Sequence, residues 1–168
     1  GSTAAGREIA QACGKLLRPV SLELGGKSAS IILEDANLEA VLQGLPSVSM
    51  TSNGQACFSC TRILVPNSRY AEFVDAIATT VASYKVGDPL DRATQIGPMG
   101  SSAHRDRVEA YIAKGKAEAK LVAGGGKMSD LPRGWFVQPT VFADVNNSST
   151  IAQEEIFGPV LSIIRYQD

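Results

Sequence analysis

The chain has few of the residues that build metal sites and disulfide frameworks: three cysteines (Cys13, Cys57 and Cys60) and a single histidine, His104. A low, odd number of cysteines argues against a disulfide-stabilised secreted domain and favours a reducing compartment, so we expect a cytoplasmic protein. A zinc site would need nearly all of these residues together, and their spacing is not that of zinc ligands. The sequence therefore predicts no metal site.

Charge excess and long apolar runs are also lacking. The chain has 16 basic and 17 acidic residues, so its net charge of −1 provides no basic surface for nucleic acid. No apolar run approaches the roughly 18 residues of a membrane-spanning helix, and no signal peptide is visible. What remains is 168 residues with 44% hydrophobic content, enough for one ordinary core. We predict a globular domain with neither nucleic acid nor membrane as a partner.

Helix-like and strand-like segments alternate along the chain. The spacing of apolar residues predicts helices over residues 3–16, 35–52, 68–87 and 103–119. Asp35 or Asn37 is the expected N-cap of the second helix, and Pro46 is expected to kink or end it. Extended runs predict strands over residues 19–26, 28–34, 60–66, 120–125 and 160–166, with a further extended segment over 134–145. This alternation indicates an α/β fold with a mainly parallel sheet flanked by helices.

The stretch NGQACFSCTR, residues 53–62, places Cys57 and Cys60 three positions apart. A thioredoxin-like redox pair wants its first cysteine at a helix N-terminus, whereas here a helix precedes the motif and a strand follows it. Cys60 opens the predicted strand, while Cys57 follows a flexible polar turn that can present it to a cleft. His104 is expected to be exposed, which argues against a Cys–His dyad. A nucleophilic Cys57, a redox pair and buried packing all stay open.

A carboxylate lies within the predicted strand 19–26, where Glu23 comes just before Gly25 and Gly26. A buried carboxylate without a partner is costly, and burial raises its pKa. A raised pKa near neutral pH suits a general base. The alternative is a strand-end glutamate that faces water. The two glycines permit close backbone approach by another element or by a ligand.

The stretch EEIFGP places Glu154 and Glu155 next to each other, so in an extended chain they face opposite sides. Phe157 would then lie on the same side as Glu155. A carboxylate beside an aromatic ring suits a sugar hydroxyl next to a flat heterocycle. A solvated acidic turn is the alternative interpretation.

At the start of the chain, GSTAAGR places Gly1 and Gly6 around small residues ahead of a predicted helix. Free amides at a helix N-terminus bind anions such as phosphate. The stretch is neither a complete G-x-G-x-x-G motif nor a P-loop, so taken alone it is a weak signal.

In their order along the chain, these motifs resemble those of the aldehyde dehydrogenase superfamily. GSTAAGR resembles the coenzyme loop of that family, and LELGGKS is similar to its general-base motif. GQAC, followed by Arg62, resembles the nucleophile motif, and EEIFGPV resembles the ribose-contacting motif. VGDP, IGP and QPTVF are similar to further family landmarks. The resemblance covers essentially the whole chain, and its glutamate and cysteine motifs are specific to this family.

The resemblance implies a reaction and two catalytic residues. An aldehyde would be oxidised to a carboxylic acid with NAD or NADP, through a thiohemiacetal and a thioester on a cysteine. Cys57, two residues after the Gly-Gln pair, corresponds to the nucleophile, and Glu23 corresponds to the base that activates water. Cys60 becomes a bystander.

The resemblance also implies a coenzyme site. Glu155 would contact the nicotinamide ribose, Phe157 would lie near the nicotinamide ring, and Ser2 would touch the pyrophosphate. The residues implied in coenzyme binding are Gly1, Ser2, Gly6, Leu24, Glu155 and Phe157.

Members of the family are much longer, with a Rossmann-like coenzyme domain ahead of the GSTAAGR-like loop and an oligomerising strand near the C-terminus. We therefore expect residues 1–24 to be the end of a coenzyme-binding domain and residues 25–168 to be a catalytic domain that is incomplete at its C-terminus. The full-length protein is expected to be a homo-oligomer, and the isolated chain is expected to be inactive. A non-catalytic domain, or a redox module that uses Cys57 and Cys60, is the alternative.

Overall fold

The computed structural model describes residues 1–128, 130–131 and 133–167, and its centre is a five-stranded sheet. The strands are β1 (Ala29–Ile31), β2 (Arg62–Pro66), β3 (Lys120–Ala123), β4 (Thr140–Ala143) and β5 (Val160–Tyr166). Their order in the sheet is β1-β2-β5-β4-β3. The neighbours β1–β2, β2–β5 and β5–β4 are parallel, while β3 pairs antiparallel with β4. The predicted α/β fold with a mainly parallel sheet is confirmed.

Helices cover both faces of this sheet. They are α1 (Thr3–Lys15), α2 (Leu38–Val48), α3 (Tyr70–Ala82), α4 (Ser102–Glu118) and the short α5 (Thr150–Gln153). Because alternate residues of a strand point to opposite faces, β5 divides its side chains between two hydrophobic clusters. Leu161 and Ile163 pack with α2 and α3, whereas Val160 and Ile164 pack with α4 and α5. Within the described part of the chain, no helix is both long and apolar enough to cross a membrane.

The first part of the chain adds β1 to the sheet but, within the described structure, no residue to the two hydrophobic clusters. Among the described residues, neither hydrophobic cluster includes a residue from 1–31. In α1 the one buried residue is Gly6, and Ile9 is exposed, as is Leu17 just after the helix. The predicted domain boundary after residue 24 lies inside this peripheral region, and it stays a prediction.

Several predicted elements are shorter than expected or do not form. Residues 19–26 form no strand, because no neighbouring strand in the described structure pairs with them, and residues 28–34 contribute just the three residues of β1. The extended segment 134–145 becomes a strand only over Thr140–Ala143. A strand forms only when a neighbouring strand pairs with it by hydrogen bonds, and the local sequence pattern does not show which segments become neighbours.

The second helix is shorter than predicted and does not end at Pro46. Asn37 is the N-cap, and its Oδ1 accepts a hydrogen bond from the amide of Ala40 at 2.9 Å. The helix continues through Pro46 and ends two residues later, at Val48. The chain then returns so that the amide of Cys60 donates to the carbonyl oxygen of Val48 at 3.0 Å. Cys60 therefore lies ahead of β2, which begins at Arg62, and does not open the strand as predicted.

Candidate active site

The double glycine brings two of the predicted motifs together. The amide of Gly26 donates to Oε1 of Glu155 at 3.1 Å. A Cβ atom on Gly26 would lie 3.1 Å from the carbonyl oxygen of Cys57, and one on Gly25 would meet the carboxylate of Glu155. A side chain at Gly25 would therefore displace the carboxylate of Glu155, and one at Gly26 would press on the backbone of Cys57. The backbone at Gly26 lies between the residue predicted to contact the ribose and the residue predicted to be the nucleophile.

The turn that precedes Cys57 has an unusual backbone. Ser52, Asn53 and Gly54 all have positive φ, at 50°, 62° and 75°. A left-handed conformation costs a non-glycine residue on the order of 1–2 kcal/mol, so such a turn persists where its surroundings hold it. The turn buries Gly54 so tightly that a Cβ atom there would clash with the carbonyl group of Gly158. The turn of residues 52–54, which precedes Cys57, thus packs directly against the backbone at residues 158–159.

Side chains of the same turn hold the loop of residues 96–100. Oδ1 of Asn53 accepts from the amide of Gly97 at 2.8 Å, and Nδ2 of Asn53 donates to the carbonyl oxygen of Pro98 at 3.3 Å. Oε1 of Gln55 accepts from the amide of Gly100 at 3.1 Å. Asn53 and Gln55 therefore fix the backbone on either side of Gly54 before the chain reaches Cys57.

The cysteines differ in exposure, and no disulfide joins them. Cys57 is exposed, whereas Cys13 and Cys60 are half-buried, and all of these thiols are free. Sγ of Cys60 lies 3.8 Å from the carbonyl oxygen of Phe58. The predicted presentation of Cys57 by its turn agrees with this geometry.

Glu23 is exposed and lies outside any strand, so of its two interpretations the water-facing one agrees with the structure. Its carbonyl oxygen accepts from the N-terminal amine of Gly1 at 2.9 Å. Within the described residues its carboxylate makes no hydrogen bond or ion pair. Glu23 lies three residues before Gly26, which contacts Glu155 and closely approaches the carbonyl oxygen of Cys57.

The remaining predicted coenzyme residues at the start of the chain lie together. Oγ of Ser2 caps α1 by accepting from the amide of Ala5 at 3.2 Å. A Cβ atom on Gly6 would lie 2.8 Å from Cδ2 of Leu24, and one on Gly1 would lie 3.6 Å from the same atom. Gly6 therefore allows α1 to pack on Leu24, a close approach that the motif alone did not identify.

A cleft of about 390 Å³ lies beside the double glycine, and its walls include Ser2, Lys27, Arg107, Tyr111 and Glu155. Nζ of Lys27 is buried and has no hydrogen-bond partner among the described residues. Burial lowers the pKa of Lys27 from its usual 10.5 to about 8; repulsion from Arg62 adds to this effect, and attraction to Glu155 opposes it. The cleft thus combines a carboxylate with a buried ammonium group whose pKa is lowered.

The segment EEIFG, residues 154–158, is held by three side chains of α4. The sequence analysis did not assign these three residues to a site. Nη2 of Arg107 donates to the carbonyl oxygen of Glu155 at 2.7 Å, and the hydroxyl of Tyr111 donates to Oε2 of Glu154 at 2.6 Å. Nε2 of His104 lies 2.6 Å from the carbonyl oxygen of Phe157. His104 is half-buried by this contact, contrary to its predicted exposure. Their spacing on one helix was visible in the sequence, but their partners were not.

The backbone at Phe157 is not extended as expected, while its predicted place near the nicotinamide ring stays a prediction. Its φ is 63°, so the segment is not extended and the expected alternation of side chains fails there. The ring of Phe157 instead stacks at a tilt on His104, with ring centroids 5.8 Å apart. Among the described residues, no cluster of metal-ligating side chains occurs.

Comparison with known proteins identifies a family to which the chain is similar. The sequence profile of the aldehyde dehydrogenase family matches residues 1–168. The chain is 68% identical over 167 residues to the geranial dehydrogenase of Castellaniella defragrans, covering 99% of this chain and 35% of that protein. It is 48% identical over 170 aligned positions to a betaine aldehyde dehydrogenase of Rhizobium etli, covering 100% of this chain and 35% of that protein. The chain thus spans 35% of the length of these relatives.

Solved structures agree with this assignment. An aldehyde dehydrogenase of Mycobacterium tuberculosis in complex with NAD+ matches with a TM-score of 0.96 and 53% identity, over 100% of this chain and 35% of that one. A mutant of aldehyde dehydrogenase C from Pseudomonas syringae, in complex with NAD+ and octanal, matches with a TM-score of 0.95 and 40% identity, also over 100% and 35%.

Proposed function

The chain belongs to the aldehyde dehydrogenase family, and we propose that it supplies the nucleophile, the general base and part of the coenzyme site of an enzyme that oxidises an aldehyde to a carboxylic acid. Cys57 is the proposed nucleophile and Glu23 the proposed base. The observation that carries the proposal is the backbone at Gly26, which donates to Glu155 and closely approaches the carbonyl oxygen of Cys57. One backbone segment thus joins three of the family-like motifs.

In the proposed reaction, the thiolate of Cys57 adds to the carbonyl carbon of the aldehyde and forms a thiohemiacetal. The amide of Cys57 donates no hydrogen bond within the described residues, which supports its use for the negative charge that develops on the substrate oxygen. Loss of a hydride converts the adduct into a thioester. Glu23 then takes a proton from water as the water attacks the thioester and releases the acid.

The coenzyme in this proposal is NAD or NADP. The residues present fit such a group: Glu155 offers a half-buried carboxylate for sugar hydroxyls, and the adjacent cleft opens toward Ser2 at the start of α1. Glu155 would hold the ribose and Ser2 the pyrophosphate, with Phe157 near the ring and Gly1, Gly6 and Leu24 shaping the loop. The chemistry that this group supplies when bound is acceptance of a hydride.

The proposed division of the chain is residues 1–24 as the end of a coenzyme-binding domain and residues 25–168 as a catalytic domain. The absence of residues 1–31 from both hydrophobic clusters, among the described residues, supports this division. Because the curated relatives are nearly three times as long as the chain, we propose little dehydrogenase activity for these 168 residues alone. A homo-oligomeric state and a cytoplasmic location stay predictions.

The alternative of a thiol–disulfide redox module is less well supported. Cys57 and Cys60 are free, one exposed and the other half-buried, and Cys57 follows a strained turn rather than opening a helix. Family membership favours the nucleophile over the redox pair.

The enzyme proposal can be tested in a grafted enzyme, made by replacing the matching segment of the geranial dehydrogenase of Castellaniella defragrans with residues 1–168. Identity of 68% supports correct assembly. The graft is expected to reduce NAD or NADP in the presence of an aldehyde, and Cys57→Ala is expected to abolish that activity. Cys60→Ala is the matched control and should leave it largely intact. A fully active Cys57→Ala graft would exclude Cys57 as the nucleophile.

The thiols can be compared in the 168-residue chain itself. Brief treatment with iodoacetamide followed by peptide mapping should label Cys57 before Cys13 and Cys60, since Cys57 is the exposed thiol. Preferential labelling of Cys60, or a Cys57–Cys60 disulfide under mild oxidation, would instead support the redox interpretation.

A further inference from the structure

We propose that one face of α4, formed by His104, Arg107 and Tyr111 and called here the α4 clamp, positions Glu155 for coenzyme binding. The inference rests on the proposed function of Glu155, and it adds three residues that act on the coenzyme site through their contacts with residues 154–157. They are positioning residues, because each acts through the segment that carries Glu155.

The clamp residues lie three and four positions apart, so they lie along one side of the helix. Arg107 makes two of the contacts: Nη2 donates to the carbonyl oxygen of Glu155 at 2.7 Å, and Nη1 donates to that of Ile156 at 3.0 Å. His104 contacts the carbonyl oxygen of Phe157 at 2.6 Å. Three consecutive carbonyl groups therefore point at donors from a single helix. Residues 155–157 belong to no helix or strand, so their carbonyl oxygens need hydrogen-bond donors from elsewhere, and α4 provides them.

The contact at Phe157 determines where His104 carries a proton. A carbonyl oxygen can only accept a hydrogen bond, so Nε2 of His104 must be the donor. The residue that it holds is the one with a φ of 63°, a conformation that is unfavourable for a side chain as large as phenylalanine. A strained residue at a proposed site persists when neighbouring contacts fix it. The donor from His104 is such a contact.

Glu155 is consequently held at two points. Its backbone oxygen is bound by Arg107, and its carboxylate oxygen Oε1 is bound by the amide of Gly26. The neighbouring Glu154 is drawn to Tyr111, which separates the two carboxylates. Without the clamp, the carboxylate of Glu155 would keep its hydrogen bond from Gly26. The backbone of Glu155 would no longer be held in place by Arg107. Coenzyme affinity would fall, while the chemistry at Cys57 would not be touched.

The kinetic test uses the grafted enzyme with Arg107→Met, which keeps an unbranched side chain but removes both donors. The KM for coenzyme is expected to rise about tenfold, because charged groups make the stronger hydrogen bonds. Hydrolysis of p-nitrophenyl acetate by Cys57 without coenzyme should not change. Arg105→Met is the matched control: Arg105 lies on the same helix but contacts Asp106 and Trp135. Equal coenzyme KM values in the two variants would overturn the proposal.

His104 provides a second arm with a conservative rescue. His104→Gln retains a donor at the end of the side chain and should keep the coenzyme KM within about threefold, whereas His104→Leu should raise it as Arg107→Met does. If Gln and Leu give the same coenzyme KM, donation to Phe157 plays no part and the clamp is overturned.

A third readout does not depend on enzyme activity. In the 168-residue chain, the amide of Gly26 is bonded to Glu155, so its hydrogen exchange reports where that carboxylate lies. Arg107→Met should speed exchange at Gly26 about tenfold, and Arg105→Met should not. Unchanged exchange at Gly26 would overturn the clamp. An inactive graft with faster exchange would leave the clamp supported and overturn the enzyme proposal alone.

Discussion

Gly25 and the carboxylate of Glu155 approach each other so closely that a Cβ atom on Gly25 would lie 2.9 Å from Cδ of Glu155. The contact joins parts of the chain that are 130 positions apart in sequence, and its acidic partner is the end of a flexible side chain. A methyl group at Gly25 is therefore accommodated by displacing the carboxylate rather than by moving the backbone.

We predict that Gly25→Ala weakens coenzyme binding and leaves the fold intact. The displaced carboxylate loses its hydrogen bond from Gly26, so the coenzyme KM of the grafted enzyme should rise about tenfold. The free energy of unfolding of the 168-residue chain should change by less than about 1 kcal/mol. Steady-state kinetics and urea unfolding measure the two effects. A loss of stability without a change in KM would show that Glu155 is a structural residue.

Unlike a substitution at Gly25, a substitution at Gly54 should destabilise the fold. Gly54 has a φ of 75°, and a Cβ atom there would lie 2.9 Å from the backbone nitrogen of Pro159, which cannot rotate away. Gly54→Ala should lower the free energy of unfolding by roughly 2–4 kcal/mol in urea denaturation. Gly44→Ala is the control, because nothing lies within 4 Å of that position in α2. The control should be neutral or stabilising by about 0.5–1 kcal/mol; equal losses in both would contradict the close packing of the turns.

Lys27 should make stability depend on pH. The pKa of Lys27 is lowered from 10.5 to about 8, so between these values the unfolded chain binds the proton and the folded chain does not. Stability due to this residue therefore rises as pH rises from 8 to 10.5, and below pH 8 the buried charge costs up to about 3 kcal/mol. Lys27→Met should stabilise the chain at pH 7, and its advantage should shrink by pH 10.

Urea unfolding at the two pH values measures the effect of Lys27→Met. Lys15→Met, at an exposed position of α1, is the control and should shift stability by less than about 0.5 kcal/mol at either pH. A pH-independent gain at Lys27 would mean that packing of the methionine, and not removal of a buried charge, stabilises the variant.

Glu23→Gln in the grafted enzyme should separate the two halves of the proposed reaction. Glutamine keeps the size of the side chain but cannot take a proton from water, so thioester hydrolysis should slow by about 10²–10⁴. Stopped-flow measurement should then show a burst of reduced coenzyme followed by slow turnover. Glu8→Gln, exposed on α1, is the control and should show normal turnover. Normal turnover in Glu23→Gln as well would make Glu23 a structural residue.

The sequence and the structure agree where a segment depends mainly on its own pattern. The apolar spacing of α3 and α4 and the run of β5 are local features, and β5 begins and ends at the predicted residues. The predicted strand 19–26 failed because strand formation requires a neighbour. Without that strand no sheet buries the carboxylate of Glu23, and the water-facing one of its two interpretations applies.

By itself, the sequence determined the α/β class and the motifs that carry the family resemblance, because hydrophobic periodicity and motif spacing are properties of the chain alone. Only the tertiary structure decided that Gly26 lies between Glu155 and Cys57, and that α4 donates to the carbonyl oxygens of residues 155–157. These contacts join residues 31 to 129 positions apart in the sequence. Their formation depends on how the helices and turns pack around the sheet, and no local pattern specifies that packing.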